Sequence, residues 1–86
     1  MLAIAYTPTF ARMFKRLEKD LQEEAIEKIE LFKNIKNHQV LRVHKLHGRF
    51  SSNYSFSINY QTRVVFQYLS KKEVVCVAIG DHEVYR

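Results

Sequence analysis

The sequence predicts an α+β domain with elements in the order β-α-α-β-β-β, a helical hairpin packed on one face of a small antiparallel sheet. Three observations lead there. Apolar residues recur at helical spacing from Phe10 to Ile35. From Tyr54 to Ile79 the pattern changes to alternation and then to a nearly continuous apolar run. Only two glycines and one proline occur, so loops are short and most of the chain sits in regular structure. Eighty-six residues make a single domain, residues 1–86, with one modest core and no room for a large substrate cavity.

Leu2 to Tyr6 reads as a short strand. Thr7-Pro8 then looks like a helix start, with Thr as N-cap and Pro where its missing N–H does no harm. Phe10, Met13, Phe14, Leu17 and Leu21 keep helical spacing. Asp20 and Glu23 resemble a capping box, which places the start of a second helix there. Its apolar stripe is Ala25, Ile26, Ile29 and Phe32, with Ile35 as an extension. Glu24 precedes Lys28 by four residues, the favourable order for a helical ion pair. The polar stretch Asn34 to His38 ends the helix. Tyr54-Ser55-Phe56-Ser57-Ile58 alternates as a half-buried strand does. Thr62 to Leu69 is rich in β-formers, Ser70-Lys71-Lys72-Glu73 is a turn, and Val74 to Ile79 is an apolar strand. Three strands with short turns form a meander, and the two helices cover one of its faces.

Charge narrows the partners. The net charge is +5. Up to Val43 there are eight basic residues against six acidic; from His44 onward there are six against three, with three of the four histidines. The second half therefore presents the cleaner positive potential, which suits a polyanion such as nucleic acid or an acidic protein segment. The lone Cys76 cannot form an internal disulfide, and its apolar neighbours suggest a buried, inert thiol in a reducing compartment. No apolar run approaches the ~18 residues that span a membrane. The first residues lack the basic region of a signal peptide. The expected location is the cytoplasm, with no membrane partner.

Three clusters could carry chemistry. In the second strand Arg63, Val65 and Gln67 point one way and Val64, Phe66 and Tyr68 the other. The set with Phe66 is the better core face, so Arg63 should project from the face opposite the helices. The second cluster is His44-Lys45-Leu46-His47-Gly48-Arg49, beside a glycine; its plain alternative is a solvated turn. The third is the tail Gly80-Asp81-His82-Glu83-Val84-Tyr85-Arg86. Together they offer what metal-free RNA cleavage needs. The 2′-hydroxyl must lose a proton, the departing 5′-oxygen must gain one, and the transition state needs positive donors. Histidine can do either proton job near neutrality. Arginine matches phosphate oxygens with a planar fork. Tyrosine can stack on a base. The histidines have no cysteine partner and no His-Glu-x-x-His pattern, so no metal and no cofactor is expected.

The order and spacing of these pieces resemble the RelE/ParE superfamily of type II toxin–antitoxin toxins over nearly the whole chain. Thr7-Pro8-Thr9-Phe10 with Leu17 resembles its first helix, and His44-Lys45-Leu46-His47-Gly48 its x-x-Leu-x-Gly element. Tyr60-Gln61-Thr62-Arg63-Val64-Val65-Phe66 resembles its arginine-bearing strand, and Val77 to Tyr85 its last strand and tail. One branch of that family cleaves messenger RNA, generally in the ribosomal A site, whereas the ParE branch inhibits DNA gyrase. The resemblance implies the messenger-cleaving branch. Arg63 would be the phosphate-contacting arginine. His44 would fill the slot of a catalytic His or Glu, His82 that of a catalytic His, and Tyr85 that of an aromatic set against the RNA. His44 and His82 would share the acid and base roles. Lys45, His47 and Arg49 would hold RNA backbone. Ser55 and Ser57 fall where RelE toxins carry two lysines, which favours a YafQ- or YoeB-like arrangement. Ser57 and Gln61 in turn replace the His and Asp that YafQ-like toxins carry on that hairpin. A cognate antitoxin is the implied partner, besides messenger RNA and the ribosome. The alternatives are a ParE-like gyrase inhibitor and a non-catalytic protein-binding module.

Overall fold

Thr7 opens the first helix by capping it. Its hydroxyl oxygen accepts the Phe10 N–H at 3.0 Å and donates to the Val77 carbonyl at 3.3 Å. Pro8 follows in the first turn, so helix α1 runs Pro8–Lys15. The computed structural model describes residues 1–48, 52–81 and 84. The remaining elements are β1 (Ala3–Tyr6), α2 (Lys19–Phe32), a 3₁₀ turn (Ile35–Asn37), β2 (His44–Lys45), β3 (Tyr54–Ser57), β4 (Arg63–Ser70) and β5 (Glu73–Gly80).

Two local expectations for the helices change. Helix α2 starts at Lys19, with Glu18 as an N-cap that makes no side-chain bond. Asp20 lies inside the first turn, where its charge still favours the positive helix end. In the expected stripe Ala25, Ile29 and Phe32 are buried, but Ile26 and Ile35 are exposed. Ile35 has left the α-helix for the 3₁₀ turn, which redirects its side chain. The ion pair from Lys28 to Glu24 forms, at 3.9 Å.

The sheet order is β1-β5-β4-β3-β2. The meander is antiparallel as expected, but β1 pairs with β5 in parallel, Ala3 opposite Glu73 and Tyr6 opposite Cys76, so the whole sheet is mixed. A parallel partner needs a crossover, and here the two helices supply it. They cover one face. Phe10, Ala25, Ile29 and Phe32 pack with Phe56, Val64, Phe66, Val74, Cys76 and Ile79 in one core. Phe32 is its centre, stacked on Phe56 at 4.2 Å and set edge-on to Phe66 at 4.8 Å.

Strand β5 changes phase partway along. Val74 and Cys76 enter the core, and the next to do so is Ile79. The register shows why: Val65 faces Ala78 while Phe66 faces Cys76, so Val77 is the extra residue of an irregularity. Such a bulge flips the alternation beyond it. Burial drives the Cys76 thiol up to about 12, well above its ordinary value of 9.0. The inert buried thiol expected from its neighbours is what the fold contains. Among the described residues, no helix is long and apolar enough to cross a membrane.

Candidate nucleic-acid interface

The face away from the helices is ordered by cross-strand pairing. Residues directly opposite each other in an antiparallel ladder share a face. One row therefore runs His44, Ser55, Val65, Ala78 across β2, β3, β4 and β5. The adjoining row is Ser57, Arg63, Gly80. Val65 is buried but stands apart from the core, as its place on this second face requires. Arg63 thus projects where the alternation put it. His44 comes to the same face because it belongs to a short edge strand rather than to a solvated turn.

Arg63 is held from below by its own hairpin. Its Nη1 donates to the carbonyls of Asn59 at 2.9 Å, Tyr60 at 3.2 Å and Thr62 at 3.4 Å. The turn is fixed in its own right. Asn59 Oδ1 accepts the N–H groups of Gln61 and Thr62, both at 2.9 Å, and Asn59 Nδ2 donates to Glu24 Oε1 at 2.9 Å. Helix α2 is thereby tied to the turn that orients Arg63. Among the described residues no carboxylate pairs with this guanidinium. Among the described residues its Nε and Nη2 make no hydrogen bond.

His44 is exposed and also oriented. Its Nδ1 lies 2.8 Å from the Arg42 carbonyl. A carbonyl only accepts, so Nδ1 carries the hydrogen and the neutral ring keeps its lone pair on Nε2. That is the form of a proton acceptor.

The other expected residues divide. Lys45 neighbours His44 on a strand, and its partner is Tyr54, which packs against the core. Lys45 therefore starts from the helix-side face and not from the face of Arg63. His47 is exposed beyond the strand, next to Gly48 at φ 70°, a left-handed conformation that glycine takes without strain. Arg49, His82 and Tyr85 lie outside the described residues. Gly80 is the last residue of β5 and the partner of Arg63, so the tail begins beside the guanidinium. The Val84 N–H donates to the Asp81 carbonyl at 3.1 Å, and a Cβ at position 80 would meet Val84 Cγ1 at 2.8 Å. A side chain at position 80 would therefore force Val84 to shift.

The structure adds residues that the sequence did not single out. A cleft of about 410 Å³ is lined by Val40, Arg42, Ser57, Asn59, Tyr60 and Arg63. Arg42 lies in an irregular segment without periodicity, and Tyr60 in a turn, so neither left a signal in the pattern. A second, apolar groove of about 300 Å³ lies along α1 and α2, with Tyr6, Phe10, Phe14 and Ile26 among its walls.

The sequence matches no protein-family model and no curated protein. Its fold, however, recurs in solved structures. YafQ from Escherichia coli superposes with a TM-score of 0.70 at 12% identity, covering 99% of this chain and 98% of that one. The YoeB/ParE toxin from Agrobacterium tumefaciens gives 0.74 at 16% identity over 95% and 99%. A chain of the toxin–antitoxin complex RelBE2 from Mycobacterium tuberculosis gives 0.74 at 13% identity over 94% and 98%. Two helices on a five-stranded mixed sheet, matched end to end in this way, give the chain the fold of the RelE/YafQ/YoeB/ParE-like toxins.

Proposed function

We propose that this chain is the toxin of a type II toxin–antitoxin module and that it cleaves messenger RNA on the ribosome without a metal. The observation that carries the reading is the pair of rows on the sheet face away from the helices. His44 and Arg63 stand there together, with Gly80, the start of the tail, directly opposite Arg63.

His44 and Arg63 take roles that fit those positions, and His82 and Tyr85 take the roles that the resemblance implies. His44 Nε2 takes the proton of the 2′-hydroxyl, and the 2′-oxygen attacks the adjacent phosphorus. The 5′-oxygen leaves with a proton from His82, and a cyclic phosphate remains. Arg63, fixed by the turn carbonyls, offers Nε and Nη2 to the phosphate oxygens as negative charge builds. A preorganised donor of this kind is worth about 10²–10³ in rate. Tyr85 positions a base. His47 and Arg49 hold backbone phosphates at the rim of the site, where contacts weaken with salt, whereas Lys45, expected to join them, starts from the other face. The protein would act in the cytoplasm, beside the ribosomes.

The partner that restrains it is a cognate antitoxin. RelBE2 is a toxin–antitoxin complex, and the net charge of +5 here suits an acidic segment that orders on binding. The apolar groove along α1 and α2 offers such a segment something to bury.

The test is to map messenger 5′ ends after induction of wild type, His44→Ala, Arg63→Ala and His82→Ala. Discrete new ends should appear with wild type and fall at least tenfold in each variant. Equal cleavage and equal growth inhibition by Arg63→Ala and His82→Ala would sink the proposal. Inhibition of DNA supercoiling without new RNA ends would favour the gyrase reading instead.

A further inference from the structure

The cleft beside Arg63 has its own chemistry. Of its six lining residues two are arginines, one is a serine, one an asparagine and one a tyrosine, and none is acidic. Two guanidinium groups sharing a cleft without a carboxylate repel each other unless an anion lies between them. Planar forks of this type match phosphate oxygens.

Arg42 carries a second mark. Its φ is 59°, and it is the single non-glycine residue at positive φ among the described residues. Side chains crowd the backbone in this region, which glycine and asparagine enter more readily. Holding an arginine there makes sense where the guanidinium has a task that glycine could not perform.

Tyr60 supplies the third observation. The residue is 91% exposed, so no packing explains it. Yet its backbone is not loose. The bond from Asn59 to Glu24 pins the turn, and the Tyr60 carbonyl accepts from Arg63. An exposed aromatic on a fixed turn is a platform for stacking a base, a contact that every base can make.

We propose that this cleft binds the nucleotide next to the cleaved bond, with Arg42 on its phosphate and Tyr60 stacked on its base. The inference rests on the ribonuclease reading, because Arg63 lines the cleft and also faces the scissile phosphate. It adds Arg42 and Tyr60, which stand outside the two rows, to the Ser57 and Arg63 of that face. The ligand is single-stranded RNA. Arg42 and Arg63 grip successive phosphates, and Ser57, a member of the Arg63 row that also lines the cleft, is its neutral hydrogen-bonding wall.

The probe is a fluorescein-labelled single-stranded RNA of mixed sequence, 2′-O-methylated throughout so that it cannot be cut. Binding is measured by anisotropy against salt concentration, using full-length wild type, Arg42→Gly, Arg42→Lys, Tyr60→Leu and Tyr60→Phe. Arg42→Gly should weaken binding about tenfold. It should also reduce the slope of log affinity against log salt by about one phosphate's share, ~0.7 for a single strand. Arg42→Lys should keep the slope and recover part of the affinity. Tyr60→Leu should weaken binding about five- to tenfold with the slope unchanged, and Tyr60→Phe should bind as wild type does. Glycine suits φ 59°, so Arg42→Gly should melt no lower than wild type, which removes misfolding as an explanation. Wild-type affinity and slope in Arg42→Gly and Tyr60→Leu would overturn the subsite and leave the ribonuclease reading standing. RNA binding that depends on Arg42 and Tyr60, without cleavage of an unmodified strand, would sustain the subsite and remove the ribonuclease reading. Failure of wild type to bind the probe would overturn the subsite and count against that reading as well.

Discussion

Replacing Asn59 by Asp should loosen the join between helix α2 and the turn that orients Arg63, without removing the turn itself. An aspartate keeps the side-chain oxygen that accepts the Gln61 and Thr62 N–H groups. It loses the amide that donates to Glu24 Oε1 at 2.9 Å and sets a second carboxylate there instead. A hydrogen bond to a charged group contributes about 1.5–3 kcal/mol. The Glu24 side chain is 39% exposed, so water screens the new repulsion and the lower end applies, about 1.5 kcal/mol. In a domain of this size that lowers the melting midpoint by roughly 6–12 °C. Glu24→Gln alone should cost less, since its amide oxygen still accepts from Asn59 and it gives up the charge on that bond and the exposed pair with Lys28 at 3.9 Å. The double variant should recover most of the loss, because a glutamine amide can donate to the new carboxylate. Urea unfolding of the four proteins at pH 7 gives the coupling directly. A midpoint for Asn59→Asp within a degree of wild type would refute the claim that this bond pins the turn. So would strict additivity of the two substitutions.

Two further outcomes follow from the same structure. With its pKa pushed up to about 12, Cys76 should resist iodoacetamide at pH 8 in the native state and react at once in guanidinium. The unfolded thiol ionises near 9.0 and the folded one far higher, so the native state binds the extra proton. Stability from this group is full below pH 9 and falls as pH rises toward 12, by up to about 1.4 kcal/mol per pH unit. Cys76→Ala should lose that part of the slope when urea midpoints are followed from pH 8 to 10.5. Gly80→Ala brings a Cβ to 2.8 Å from Val84 Cγ1, which forces Val84 away from the strand end. Messenger cleavage should fall more than tenfold while the melting midpoint drops by only a few degrees; a comparable fall in both would mean that the sheet itself was damaged.

Much of the fold was legible because burial imposes its period on the sequence. Thr7-Pro8 announced a helix, and capping geometry delivered it. Val64 and Phe66 announced the core face and Arg63 the other, and one-sided burial fixed both. Where burial is uniform the period vanishes. Val74 to Ile79 is apolar throughout, so the irregularity at Val77 left no trace in the pattern. The parallel seat of β1 was equally hidden, since five residues cannot state which distant strand they will join. In the candidate site, Arg63 and His44 share a face through pairings remote in sequence. Lys45, adjacent to His44 in the chain, is turned to the other side by the same strand geometry. Arg42 was silent because a left-handed backbone angle is a tertiary outcome, with no sequence signature except in glycine and asparagine.

The pairing of β1 with β5 has a consequence in time. Ala3 and Glu73 are seventy residues apart in the chain, the same separation as Thr7 and Val77. A ribosome making this protein releases β1 and both helices well before their partner strand exists. At about 5–20 residues per second the wait is roughly 4–14 seconds. During it Phe10, Ile29 and Phe32 have no sheet to cover, and Arg63 lacks its partner Gly80. The nascent chain is thus without a finished core or a finished site until its last strand is made.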